Sequence, residues 1–254
     1  MKIVSLIPSA TEIISALNLS DNLVGVSHEC DYPKEVSNLP KLTTSRIKTE
    51  QSSLKIDDDI KKILEQSLSV YEVKSDLLKE LDPDVIITQS QCSVCAVSLK
   101  DVEKCLSKFM NKKPQLIDLK PNTFEEVLKD INLVGNKLNK KVESDFLVKN
   151  IKNEINKIKV KTSNSKIKNV LCIEWIEPIM TAGNWIPELV KFAGGKSVLA
   201  KSGKNSNFIK PEYINFKEVD IVIFMPCGFD IKRSKEEILK ANIDYYSSLK
   251  EKKT

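Results

Sequence analysis

The chain has 254 residues, of which 41% are hydrophobic and 30% charged, and 40 basic residues against 35 acidic ones give a net charge of +5. This composition predicts a soluble protein with one large core or two modest ones. The lysines are spread along the whole chain and aromatic residues make up only 6%. The sequence therefore lacks the basic, aromatic-lined groove that binds nucleic acid.

A membrane-spanning helix needs about 20 apolar residues, and no apolar run in the sequence is nearly that long. Membrane insertion is therefore not predicted. The first residues, 1–8, hold one lysine and a short apolar stretch without a small-residue cleavage site. A secretory signal peptide is longer and differently built. The chain as given is therefore expected in the cytoplasm, and in the periplasm if its N-terminus is mis-assigned.

Strand and helix patterns alternate through the first 120 or so residues. The strands are predicted at 2–7, 23–27, 84–88 and 115–119, and the helices at 57–66, 75–81 and 98–110. Ser9 followed by Glu12 predicts a capping box that begins a further helix. Strands joined by helix-length connections form parallel sheets, so residues 1–121 are predicted to form an N-terminal α/β lobe.

The longest helical pattern runs over 124–160 without a proline and with Gly135 as its only glycine. A helix of about 35 residues would extend about 50 Å, so residues 122–162 are predicted to form one long connecting helix. Beyond it the predicted elements are a strand over 168–174, a helix over 187–193, a strand over 220–225 and a helix from about residue 234. Residues 163–254 are therefore predicted to form a C-terminal α/β lobe.

Polar and aromatic residues gather where the predicted strands end, which is where an α/β sheet opens into a ligand crevice. The candidate ligand-binding residues are His28, Glu29, Tyr32, Gln91, Glu174, Trp175, Trp185 and Phe229. Tyr32, Trp175 and Trp185 could wall a flat macrocycle or pack on the core. His28, the only histidine, could contact a ligand or be a hydrogen-bonded structural residue. Glu174 could fix a polar ligand group, because a carboxylate at a strand end is costly unless it is paired.

Six cysteines in a chain without an export signal are expected to be thiols or ligands rather than disulfides. The candidate metal ligands are Cys30, Cys92, Cys95 and Cys227. Four thiols could hold zinc or an iron–sulfur cluster; direct thiol contact with a ligand, and buried or reactive thiols without a metal, are the alternatives. Cys105 lies at helical spacing among apolar residues and Cys172 lies in a predicted strand, so both are predicted to be core thiols.

Catalytic motifs do not occur in the sequence. It contains no G-x-S-x-G elbow, no phosphate-binding G-x-x-x-x-G-K, no dinucleotide-binding G-x-G-x-x-G and no H-E-x-x-H. The sequence therefore indicates a binding protein more than an enzyme.

Several segments together resemble the iron/vitamin B12 periplasmic-binding-protein superfamily, in particular its cobalamin-binding-protein-like branch without a signal peptide. The resemblance lies in SLIPSATE (5–12), GVSHECDYP (25–33), LDPDVIITQ (81–89), QCSVCAVS (91–98), EW (174–175), AGNWIPE (182–188) and PCGFD (226–230). It implies a class III periplasmic-binding-protein-like fold: two Rossmann-like lobes, one long joining helix, and ligand held between the lobes. Relatives continue past Tyr245 with a further strand, turn and helix, so the resemblance also implies a shortened C-terminal lobe.

Two functional hypotheses follow from the sequence. In the first, the protein holds a corrinoid (cobalamin-like) ligand or another small-molecule metal chelate, and, if exported, serves an ABC transporter permease as its substrate-binding component. In the second, it is a cytoplasmic metal, iron–sulfur or redox protein, with an enzyme among the options, built on the same fold around the four candidate thiols. Fold resemblance does not choose between them, because function depends on the site.

Overall fold

A computed structural model describes residues 1–66, 69–91, 99–109 and 113–241. The chain divides into two compact units, and both are assembled from separate stretches of sequence. The first unit contains residues 1–49, 59–121 and 126–150, and the second contains residues 50–58, 122–125 and those from Ile151 onward. The units are therefore interleaved along the chain, whereas the predicted lobes were consecutive.

Helices and strands alternate in the first part of the chain, as its periodicity predicts. The elements are β1 (Ile3–Ser5), α1 (Pro8–Ala16), β2 (Leu23–Val26), β3 (Thr43–Ser45), α2 (Ser53–Glu65), β4 (Tyr71–Val73), α3 (Ser75–Leu81), β5 (Val85–Gln89), α4 (Leu99–Phe109), β6 (Gln115–Leu119), α5 (Phe124–Lys137) and α6 (Lys141–Thr162). Four of the strands form a parallel sheet in the order β2-β1-β5-β6, and β3 pairs antiparallel with β4. Parallel strands covered on both faces read as continuous apolar runs, which is why these four were predictable.

The sheet of the first unit is buried on both faces. Alternate residues of a strand point to opposite faces, so Ile3 and Ile87 belong to one apolar cluster while Val4 and Ile86 belong to the other. All four side chains are fully buried. This rigid layer holds the loops that follow its strands.

The second unit contains a mixed sheet. Its elements are β7 (Asn169–Trp175), β8 (Met180–Thr181), α7 (Ile186–Phe192), β9 (Lys196–Ser197), β10 (Asn207–Phe208), β11 (Ile221–Phe224) and α8 (Ile231–Lys240). β7 pairs parallel with β11 and β9 and antiparallel with β8, which in turn pairs with β10. Leu171 and Cys172 of β7 lie in different apolar clusters, one on each face. The predicted α/β class is confirmed.

The prediction of a single helix over 122–162 is wrong, because this segment forms two helices, α5 and α6. Asn139 adopts a left-handed conformation with φ of 57°. The Lys140 N–H donates to the carbonyl oxygen of Gly135 at 2.7 Å, and the Asn139 N–H to that of Asn136 at 3.5 Å. These bonds form a Schellman motif that ends α5. Leu138, directly before Asn139, is buried and keeps the helical spacing of apolar residues. The periodicity of the sequence therefore does not reveal the end of α5.

The predicted capping box at Ser9 is also wrong. The helix α1 begins at Pro8, its N-cap residue is Ile7, and no side chain caps it. Proline at the first helical position needs no N–H partner and already has a helical φ. None of the helices in the described ranges is long and apolar enough to cross a bilayer.

Candidate functional site

Loops at the carboxyl end of the first unit's sheet carry several of the candidate residues. Strand β1 pairs with β2 on one side and with β5 on the other. The strand order therefore reverses between β1 and β5, and the topological switch point of the sheet lies at the carboxyl ends of these two strands. Ligands of α/β sheets bind at such points. Gln91 follows β5, is half-buried, and its Oε1 accepts a hydrogen bond of 3.2 Å from Gln89 Nε2.

His28 follows β2 and is fixed by side chains of the β3–β4 pair. Its Nδ1 lies 2.6 Å from Thr43 Oγ1, and its backbone N–H donates to the same oxygen at 3.0 Å. The ring of Tyr71 packs against the imidazole with centroids 5.2 Å apart. His28 therefore has the contacts expected of a hydrogen-bonded structural residue, and its role as a ligand contact stays a prediction.

Glu29 and Tyr32 complete this loop. Glu29 Oε1 lies 3.2 Å from His28 Nε2, and this contact lowers the pKa of Glu29 against the opposing effect of burial. Tyr32 is 66% exposed, so its ring is open to a binding partner.

The predicted four-thiol metal site gains no support. Cys30 is only 2% exposed, belongs to the core of the first unit, and has its Sγ 3.1 Å from Thr11 Oγ1. Burial raises the pKa of its thiol, which disfavours the thiolate that metals bind. Cys227 is exposed, and Cys92 and Cys95 lie outside the described residues. Within the described ranges no group of three or more histidine, cysteine or acidic residues could hold a metal. Cys105 and Cys172 are buried, as predicted.

An acidic pair lies beside the loop that follows β5. Asp118 Oδ2, on β6, accepts a hydrogen bond of 2.7 Å from Ser90 Oγ and lies 3.0 Å from Lys120 Nζ. Asp130, on α5, accepts a hydrogen bond from the Lys120 backbone. Burial, with smaller contributions from Glu126 and Asp118, raises the pKa of Asp130 to about 6.

We expect Asp130→Asn to stabilise the protein at pH 8. The folded-state pKa of about 6 lies above the ordinary value of 3.8, so ionised Asp130 destabilises the fold above pH 6 and protonation relieves this as the pH falls towards 4. Because Asp130 is only half-buried, solvent screening reduces the expected gain to about 1 kcal/mol. Urea unfolding at pH 8 and pH 4.5 measures it, and the gain should fall to about a third at the lower pH, because the unfolded chain still ionises with the ordinary pKa of 3.8. Asp58→Asn, on an exposed part of α2, is the control; an equal gain there would contradict the assignment to Asp130.

Glu174 is the candidate carboxylate of the second unit, and it is half-buried at the carboxyl end of β7. Its Oε2 accepts a hydrogen bond of 2.6 Å from Ser206 Oγ, and burial raises its pKa against the opposing effect of this bond. Ser206 Oγ also accepts the Gly183 N–H at 3.0 Å. Trp185, two residues after Gly183, is half-buried immediately before α7.

Trp175 and Phe229 pack on each other and secure a segment of the second unit. Their ring centroids are 5.2 Å apart, and the Arg233 guanidinium lies 3.6 Å from the centroid of Phe229. The Trp175 indole N–H donates to the Ser53 carbonyl oxygen at 3.1 Å, and Arg233 donates to that of Gln51 at 3.0 Å. Both predicted ligand aromatics thus have a structural role, and their contact with ligand stays a prediction.

Sequence reasoning missed the residues that hold these candidates in place. They are Thr43, Tyr71, Gly183, Ser206, Arg233 and Glu237. Glu237 acts through Ser53: its Oε2 accepts the Ser53 N–H at 2.7 Å, and the Ser53 carbonyl oxygen accepts the Trp175 indole N–H. Except for Gly183, which belongs to a segment that carries the family resemblance, none lies in a segment with a recognisable motif. Their sequence signal is therefore weak, and only their contacts reveal them.

The comparison with known proteins decides the family. A family model described as periplasmic binding protein matches residues 3–243. The chain belongs to this family. It is 28% identical over 160 residues to an uncharacterized ABC transporter substrate-binding lipoprotein of Bacillus subtilis, covering 63% of this chain and 41% of that protein. It is 23% identical over 203 residues to the vitamin B12-binding protein of Vibrio parahaemolyticus, covering 79% of this chain and 62% of that protein.

Solved structures agree with this membership at the level of fold. A periplasmic heme-binding protein from Pseudomonas aeruginosa matches with a TM-score of 0.70 and 14% identity, covering 95% of this chain and 77% of that one. The predicted class III periplasmic-binding-protein fold is confirmed. The chain spans less than two thirds of the length of either curated relative.

Proposed function

We propose that this protein binds a small metal chelate as the substrate-binding component of an ABC transport system, and that this chelate is a corrinoid. The observation that carries the proposal is the family match over residues 3–243. The similarity to a vitamin B12-binding protein supports the corrinoid. An ABC transporter permease is then the expected partner.

The side chains at the carboxyl ends of the strands favour a ligand with neutral polar groups. In the first unit Gln89, Ser90 and Gln91 follow one another. In the second unit the Ser206 hydroxyl contacts Glu174 and the Gly183 N–H, and Asn184 is the next residue after Gly183. Amides and hydroxyls both donate and accept hydrogen bonds. They suit the side-chain amides of a corrinoid better than the carboxylates of haem.

The arginines support the same choice. The chain has only two, Arg46 and Arg233, and arginine is the residue that pairs best with carboxylates through two parallel hydrogen bonds. Arg46 Nε lies 3.7 Å from Glu72 Oε2, and Arg233 is engaged with Phe229 and the Gln51 carbonyl. A ligand carboxylate that pairs with either arginine would therefore have to displace an existing contact.

Isothermal titration calorimetry with cyanocobalamin, dicyanocobinamide, hemin and a ferric catecholate siderophore tests the proposal. We expect one of the corrinoids to bind with a Kd at or below about 10 μM and at least tenfold more tightly than the two anionic chelates. Trp185→Ala should weaken this binding about tenfold, because an aromatic wall contributes area and stacking. Tyr213→Ala, which removes an exposed aromatic ring of the same unit, should leave it unchanged.

The outcomes separate the two levels of the proposal. Tighter binding of hemin or the siderophore would reject the corrinoid and retain a metal-chelate ligand. No heat with any of the four compounds at 100 μM, roughly ten times the expected Kd, would reject both.

A further inference from the structure

The carboxyl group of Glu174 has an unusual environment for a strand-end acid. Within the part of the chain that the structure describes, its hydrogen bond from Ser206 Oγ, at 2.6 Å, is its single polar contact, and no lysine, arginine or histidine pairs with it. Burial is the larger influence on its pKa and raises it, while the Ser206 bond acts in the opposite direction. A half-buried carboxyl group with one hydroxyl donor and, among the described residues, no cationic partner ionises less readily than a free glutamate.

Ser206 determines how the two carboxyl oxygens differ. Its hydroxyl oxygen accepts the Gly183 N–H at 3.0 Å, so its own proton is directed to Glu174 Oε2. Because Oε2 accepts that proton in either charge state, the proton of a neutral Glu174 resides on Oε1. Ser206 thus leaves Oε1 as the oxygen that can donate.

Two loops hold Ser206 in this position. The Asn184 N–H donates to the Lys204 carbonyl oxygen at 2.6 Å, and the Gly203 N–H donates to that of Asn184 at 3.0 Å. At Gly183 a Cβ atom would lie 2.7 Å from the Ser206 nitrogen, so the close approach requires glycine. These contacts connect the 182–185 loop, which carries Trp185, to the loop that carries Ser206.

We propose that Glu174 donates a hydrogen bond from Oε1 to a neutral carbonyl oxygen of the ligand, such as that of a side-chain amide, and that Ser206 is the positioning residue for this bond. The proposal rests on the proposed function and names the part of the ligand that the second unit recognises. A donor without formal charge suits a neutral acceptor, whereas an ionised Glu174 would repel it.

The pH dependence of dicyanocobinamide binding tests this proposal between pH 5 and 8.5. We expect the wild-type Kd to rise about tenfold as Glu174 loses its proton, and Glu174→Gln, whose amide keeps a donor at every pH, to bind with no such rise. Ser206→Ala removes the bond that lowers the Glu174 pKa, so the midpoint of the profile should move to higher pH. Ser202→Ala, an exposed serine of the same loop, should keep the wild-type midpoint.

A purely structural Ser206 would lower affinity without moving the midpoint, and that result overturns the proposal. A wild-type profile without a pH dependence overturns it as well, while leaving the proposed function intact. If none of the two corrinoids, hemin and the ferric siderophore binds at any pH, the proposed function fails. Carbon-13 NMR titration of Glu174 in the unliganded protein then decides the positioning role: Ser206→Ala should raise the carboxyl midpoint, and an unchanged midpoint rejects it.

Discussion

Replacing Gly183 with alanine is expected to lower the free energy of unfolding by about 3 kcal/mol, because overpacking against backbone cannot be relieved by a rotamer change. A Cβ at this position would lie 2.6 Å from the carbonyl carbon of Asn205 and 2.7 Å from the nitrogen of Ser206. These atoms belong to the backbone that pairs with Asn184. Urea denaturation followed by circular dichroism measures the loss, and ligand affinity should fall with it because Ser206 and Trp185 are displaced.

Gly228→Ala is the matched control for this substitution. Gly228 has a φ of +73°, and a Cβ there meets no atom within 4 Å. Only the backbone conformation should oppose alanine, at a cost of about 1 kcal/mol. If Gly183→Ala costs no more than Gly228→Ala, the two loops do not approach as closely as described.

Glu237→Ala is expected to destabilise the second unit by about 2 kcal/mol, because it removes a charged hydrogen-bond acceptor from a buried amide. Glu237 is 5% exposed, and its Oε2 accepts the Ser53 N–H at 2.7 Å at the beginning of α2. A carboxylate at a helix N-terminus is also favoured by the helix dipole. Since the Trp175 indole donates to the Ser53 carbonyl oxygen at 3.1 Å, tryptophan fluorescence during urea unfolding reports the loss of this contact.

The neighbouring Glu236 supplies the control for this prediction. It is exposed on the same helix, and Glu236→Ala should change the stability by less than about 0.5 kcal/mol. Glu237→Gln, which keeps an oxygen acceptor without the charge, should lie between the two. Equal stability of Glu237→Ala and Glu236→Ala would show that the Ser53 amide does not depend on Glu237.

The local pattern of apolar residues was sufficient to predict the helices and strands that are buried or long. The strand at 115–119 and the helix at 75–81 have the bounds that spacing predicts, and the apolar runs of β1, β5 and β7 identified the sheet strands to within a few residues. Side-chain alternation and helical periodicity are encoded within a few neighbouring residues, which is why they can be read directly. The two-residue strands β8, β9 and β10 carry too short a pattern to be detected.

The sequence by itself determined the α/β class, the family and the strand ends at which candidate residues gather. Only the tertiary structure decided that Cys30 is a core thiol, that Asn139 ends α5, and that Ser206 is the partner of Glu174. The Ser53–Glu237 contact spans 184 positions, and a pairing at that distance leaves no periodic trace in either segment. Hydrogen-bond partners and burial depend on which segments meet in space, whereas strand and helix patterns depend on neighbours along the chain.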